Sequence, residues 1–412
     1  MRRSYYILTI IGIIAVGALI AYLLRSSQQA SPPPDDPDIG TLPPVGPPVA
    51  APTPPPGETP TPPTTPTNQR FGSVLDEPVI DYFVDSQNIA TVLATDGRVL
   101  QVKDGNLTTF HPKTTSSPLI ASFSSDGQKI MAQFSRETPA SRFDMFDVQK
   151  RAWLWQPKPL LLESPVWSPV TSTLIYLRRL ENDRGAVLSI QDLSNQASKP
   201  LEVSTLHQQD LTLAWPDPTY ILLQQKSSVL YPGSLWKFDI LRKTLSPIIM
   251  TQPGLETIWD PRSKQGVGFV GNTNERGGRL FLFNESGATT RQFSTLTLPS
   301  KCAFHTAVTP VASTVTSSGT PQTGTLEKTT LYCAIPRDPQ TLSTRQLPDL
   351  YYKKGLFTSD DIYSIDLASG SITPLLTDPA YQFDAQSVRV INDKLFFISR
   401  LDKKLYALML GL

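Results

Sequence analysis

From Pro78 to the C-terminus, short apolar stretches alternate with polar turns, and the alternation inside each stretch is close to the period of a strand. The clearest example is SPLIASFSSDGQKIMAQF, residues 117–134. It reads as strand, tight turn, strand. Asp126 can hydrogen-bond its own backbone and Gly127 accepts positive φ, so the chain can reverse there. Weaker copies follow: PVWSPVTSTLIYL from Pro165, LAWPDPTYILLQ from Leu213 and TIWDPRSKQGVGFV from Thr257. One aromatic position recurs through them as Phe123, Trp167, Trp215 and Trp259, with a fifth candidate at Phe304. The spacing is about 45 residues, the period of propeller blades.

A second recurring signal sits later in each unit. Strand-like segments end in Asp or Asn before a polar turn: MFDVQK at Met145, IQDLSN at Ile190, KFDILRK at Lys237, LFNESG at Leu282 and SIDLASG at Ser364. Another short apolar stretch follows each. The unit is therefore four antiparallel strands, and the predicted fold is all-β: a β-propeller of about seven blades, with six or eight left open. Residues 78–111, 118–156, 165–203, 211–250, 255–293 and 299–376 form the first six blades. The seventh shows three strands, AQSVRVI, KLFFIS and KLYALML, and Phe71–Leu75 is the candidate for its fourth. That pairing would close the ring and protect sheet edges. Asp147, Asp192, Asp239 and Asp366 are read as turn caps.

The strand-S-x-D-G-x-K-strand pattern, best seen in FSSDGQKIMAQF from Phe123, resembles the TolB-like, or WD40-like Pro-Asp-Gly (PD40), propeller repeat. Propeller domains of the dipeptidyl-peptidase type have similar units. The resemblance covers residues 71–412 as architecture. The other copies keep the aromatic and lose Asp-Gly. The whole chain resembles uncharacterised membrane-anchored envelope proteins of bacteria. The resemblance implies a fold and an interaction role, and it carries no catalytic residues.

The chain before residue 71 is different in kind. Arg2 and Arg3 precede an uncharged apolar run that ends before Arg25. Residues 6–24 are long enough to cross a hydrocarbon core as a helix, with the arginines favouring a cytoplasmic N-terminus. A cleaved signal peptide is the alternative, but no convincing Ala-x-Ala site follows. Residues 1–25 are thus read as cytoplasmic tip and signal anchor, and 26–70 as a disordered Pro/Thr-rich linker. Its proline-dense part, about 37 residues at about 3.1 Å each, reaches on the order of 100 Å. The remainder, 71–412, is then extracytoplasmic, on a single-pass plasma-membrane protein.

Composition narrows the partners. The 412 residues carry a formal net charge of +1, with no basic stripe to suggest nucleic acid. The two cysteines, Cys302 and Cys333, lie in KCAFHTAV and TTLYCAIP on either side of a polar insertion, residues 306–328. On neighbouring strands they could form a disulfide staple. Two unpaired core thiols, or a redox pair without a C-x-x-C motif, are the other readings. A second insertion, 337–361, gathers Leu350, Tyr351, Tyr352, Lys353, Lys354, Leu356 and Phe357. It reads either as an interaction surface or as an aromatic cover for the propeller.

The three histidines fall in separate blades, and no nucleophile elbow, P-loop or dinucleotide fingerprint is present. No metal or other cofactor is expected. The expectation is a non-catalytic scaffold meeting an envelope protein or a cell-wall component. A propeller enzyme acting on glycans in the central channel, or a ligand sensor or structural envelope component, is the alternative. Oligomeric state is not legible.

Overall fold

In the computed structural model, strands pair in seven separate four-stranded antiparallel sheets. The structure describes residues 70–411 except 115, 135–141, 155–161, 181–184, 195–197, 209, 273–275 and 316–320. Six sheets are built from consecutive strands and span residues 79–111, 118–154, 162–206, 211–253, 256–292 and 302–376. The seventh takes Ala385–Ile391, Lys394–Ser399 and Leu405–Met409, and adds Phe71–Leu75 as its outermost strand. Phe71 lies opposite Leu408 and Ser73 opposite Tyr406. The fold is thus a seven-bladed β-propeller whose ring is closed by its two ends.

The first strands of blades 1, 2, 3 and 4 lie side by side in turn. Second strands sit inside each blade, covered on both faces by neighbouring blades. Their sequences are accordingly continuous apolar runs rather than strict alternations. Ala90–Ala94 is buried throughout, and so are Ile130, Met131 and Ala132. In the fifth blade Gly266 and Gly268 make room for the rings of Phe283 and Phe281; a Cβ would stand 2.2 Å and 2.5 Å from them.

The opening hairpin shows how blades are joined. Ser124 Oγ donates to Asp126 Oδ1 at 2.6 Å, and Gln128 N donates to the same oxygen at 3.0 Å. Gly127 has φ +68°, with Phe83 of blade 1 packed where a Cβ would be. Asp126 Oδ2 accepts from Ser172 Oγ of blade 3 at 3.1 Å, and Trp167 Nε1 donates to Ser122 O at 3.1 Å. The recurring aromatic is therefore a spacer between blades. The later acids cap turns: Lys150 N on Asp147, Ser194 N on Asp192, Arg242 N on Asp239 and Ser369 N on Asp366. At the ring closure, Arg389 of blade 7 pairs with the buried Asp81 of blade 1 at 2.8 Å.

The sixth blade differs from the sequence expectation. Residues read as a polar insertion at 306–328 extend the hairpin instead: Cys302–Val315 and Pro321–Pro336 pair as far as Val315 and Pro321. Their run of threonines and valines suits an extended pairing. Among the described residues no helix is long and apolar enough to cross a membrane. The apolar run 6–24 and the linker to residue 69 lie outside the described residues.

Candidate functional site

A half-open cavity of about 800 Å³ lies between the first strands of blades 4 and 5. Blade 4 contributes Leu211–Asp217, in which Thr212 and Ala214 are exposed while Leu211 and Leu213 are buried. Blade 5 contributes Glu256–Asp260. The walls are the side chains of Leu213, Trp215, Ile258 and Trp259, with Ser300 and Tyr352 from blade 6. Volume and apolar lining match those of small-molecule and side-chain pockets.

The second insertion makes this cavity what it is. Its two helical turns, α1 (Gln340–Ser343) and α2 (Asp349–Tyr352), reach from blade 6 to blades 4 and 5. The Asp349 carboxylate accepts from Ser228 Oγ at 2.8 Å and Val229 N at 2.7 Å, on the loop of blade 4. Gly277 N of blade 5 donates to Arg345 O at 2.7 Å. Leu342, Leu347, Tyr351 and Leu356 are buried in the core shared by blades 5 and 6. So the seven residues singled out in this insertion divide. Tyr351 and Leu356 are buried and form no surface, while Leu350 is partly buried against the same core. Their apolar groups anchor the segment. Tyr352, Lys353, Lys354 and Phe357 remain exposed, and of these Tyr352 lines the cavity.

Polar groups along the wall are mostly committed to each other. Thr257 Oγ1 donates to Gln224 Oε1 at 2.6 Å, and Gln224 Nε2 donates to Leu255 O at 3.0 Å. Trp259 Nε1 donates to Tyr220 Oη at 2.8 Å, which fixes its ring. Lys226 pairs with Asp210 at 3.3 Å. Glu256 is the exception. It is 6% exposed; Oε1 accepts from Ser300 N at 2.7 Å, and Oε2 has no hydrogen-bond partner. Burial raises its pKa, opposed by the Ser300 and Tyr352 hydroxyls, by Ser300 N and by the charge of Lys301. The hydroxyls are near enough to bear on its ionisation but are not placed to hydrogen-bond Oε2. Trp215 Nε1 is likewise buried without a partner.

The carboxyl of folded Glu256 ionises at higher pH than that of the unfolded chain, so its contribution to stability falls as pH rises above the ordinary 4.5. Glu256→Gln is expected to stabilise the fold by about 1 kcal/mol at pH 7, with the gain fading below pH 4.5. Urea titrations at the two pH values check this; a variant destabilised at pH 7 would contradict it.

Beside the cavity lies a buried ionic cluster. Lys301 is fully buried, and its Nζ lies 2.7 Å from Asp360 Oδ2, 2.6 Å from Asp384 Oδ1 and 2.6 Å from Thr358 Oγ1. Arg400 meets Asp384 Oδ2 at 2.8 Å and stacks 3.8 Å above the Tyr351 ring. Burial opposes the Lys301 charge, but Asp360, Tyr351 and Asp384 outweigh it and keep the ammonium pKa above its ordinary value. Burial dominates at Asp360 and raises its pKa. Two cations thus face two carboxylates across the joint of blades 6 and 7.

Cys302 and Cys333 are opposite each other on the first two strands of blade 6, with a Cα–Cα distance of 4.1 Å, and are joined by a disulfide. The bond lies in the core beneath the insertion. Among the described residues, no three His, Cys, Asp or Glu side chains are grouped to hold a metal ion.

Glu256 and Lys301 were not singled out by sequence reasoning, yet a signal exists. Each stands three residues before the recurring aromatic, where blades 2, 3 and 4 carry Ile120, Ser164 and Thr212. A charge at a repeat position otherwise neutral marks both.

No family model and no curated protein matches the chain. Solved structures do resemble it. A chain of the mitotic checkpoint complex aligns with TM-score 0.49 and 13% identity, over 83% of this chain and 94% of that one. A prolyl endopeptidase aligns with TM-score 0.49 and 10% identity over 81% of this chain, which spans 50% of its length. The β-propeller domain of the Trilobed protease from Pyrococcus furiosus aligns with TM-score 0.46 and 9% identity, over 80% and 94% of the two chains. At these values the likenesses concern fold, and the strand pairing already defines it. The class is a seven-bladed propeller with a cavity between blades 4 and 5.

Proposed function

We propose that the chain is a TolB-like, membrane-tethered extracytoplasmic propeller that acts as a non-catalytic interaction scaffold. Its partner is an envelope protein or a cell-wall component. The observation that carries this reading is the apolar cavity walled by Trp215, Trp259 and Tyr352. Aromatic side chains in a preformed concavity are the usual anchors of a binding surface. Residues 6–24 supply the tether and the proline-rich linker the spacing. Among the described residues walling the cavity, Glu256 is the single carboxylate, whereas glycoside hydrolysis normally uses a pair.

The test is a membrane-impermeant crosslinker applied to intact cells, followed by capture of the tagged chain. A reproducible adduct is expected with the wild type. Ala214→Trp, which fills the mouth from an exposed wall position, is expected to reduce it at least about tenfold, as loss of a hot-spot contact does. Absence of any adduct, or an adduct indifferent to Ala214→Trp, would overturn the proposal.

A further inference from the structure

We infer that the cavity between blades 4 and 5 takes a small organic cation, an ammonium group on an apolar body, with Glu256 as its counter-charge. This rests on the cavity being a binding site, and adds the chemistry of what enters.

Four observations converge on it. Glu256 is buried on the cavity wall and makes no ion pair among the described residues, unlike Lys301 and Arg400 in the neighbouring cluster. A buried carboxylate oxygen without a donor is costly, and an N–H donor relieves it. The walls are aromatic: Trp215, Trp259 and Tyr352 line the cavity, and the face of an aromatic ring attracts a cation and not an anion. Finally, the amide and hydroxyl of Gln224 and Thr257 are paired with each other, so the wall offers few free groups to a sugar.

Oε2 is out of contact with solvent, so the ligand reaches it by displacing Tyr352, whose side chain is about half exposed and belongs to the clamp between blades. The apolar body then lies against Leu213 and Ile258. No bond is made or broken in this step. Recognition is one charge-assisted hydrogen bond together with aromatic contact.

The experiment is titration calorimetry of the full chain in detergent with benzylamine, benzyl alcohol, benzoate and maltose. Benzylamine is expected to bind saturably and at least about tenfold more tightly than the other three, a difference of about 1.4 kcal/mol. Glu256→Gln is expected to bring benzylamine to the level of benzyl alcohol. Equal or tighter binding of benzyl alcohol, benzoate or maltose would overturn the assignment. So would undiminished benzylamine binding by Glu256→Gln, or no saturable benzylamine binding at all. If Glu256→Gln fails to fold, the wild-type ranking of the four probes decides alone. Loss of partner capture in Ala214→Trp together with no preference for benzylamine would overturn the cation and leave the scaffold standing.

Discussion

Lys301→Met is expected to destabilise the propeller by about 3–5 kcal/mol, the larger part of what holds many domains folded. The cause is the pair of carboxylates it would strand. Asp360 and Asp384 are both fully buried, and each loses a contact at 2.7 Å or less. Arg400 still compensates Asp384, so the loss falls mainly on Asp360, whose Oδ1 already lacks a partner. The double variant Lys301→Met, Asp360→Leu is therefore expected to recover much of the loss, because an ion pair replaced whole by apolar groups is often close to neutral. Urea-unfolding midpoints of the single and double variants measure this. A single variant within about 1 kcal/mol of wild type would show that the cluster is not a joint between blades 6 and 7.

Phe71→Ala is expected to cost about 3–5 kcal/mol as well, by a different route. Phe71 begins the strand that closes the ring. It is 4% exposed, and its ring stacks on Tyr406 at 5.5 Å and meets Tyr381 edge-on at 4.7 Å. Truncation opens a cavity between blades 6 and 7 and weakens the pairing of Phe71–Leu75 with Leu405–Met409. Amide exchange should then accelerate first in those two strands. Unchanged protection there with unchanged stability would mean that the closing strand contributes little.

Most of the fold was legible because propeller strands carry local signals. The turn acids, the recurring aromatic and the short strand lengths all lie within one unit, and each has a local cause: a cap, a blade-to-blade spacer, a two-sided burial. Even the closing strand could be inferred, since the seventh blade was one strand short. The site was less legible because it is assembled across units. Trp215 and Trp259 were visible as repeat positions, and only the packing of blades 4 and 5 turns them towards a shared space. Tyr352 was visible as one of several aromatics in an insertion. Its neighbours Tyr351 and Leu356 have similar chemistry and point into the core, a distinction set by where Asp349 and Arg345 tie the segment down. Within the hairpin over 302–336, residues 306–328 were read as a polar insertion because polar β-branched residues look like a linker until a partner strand is supplied.

The proposed binding role rests on one cleft, against which the insertion of blade 6 packs. The most direct measurement is site-specific photocrosslinking in intact cells. A photoreactive residue at Lys226, exposed on the cavity wall, is compared with one at Leu241, 89% exposed on an outer turn of blade 4. A defined adduct from position 226 and none from position 241 is the predicted result. Adducts of equal yield at both positions, or at 241 alone, would contradict the assignment of the cavity as the surface that this propeller presents to its partner.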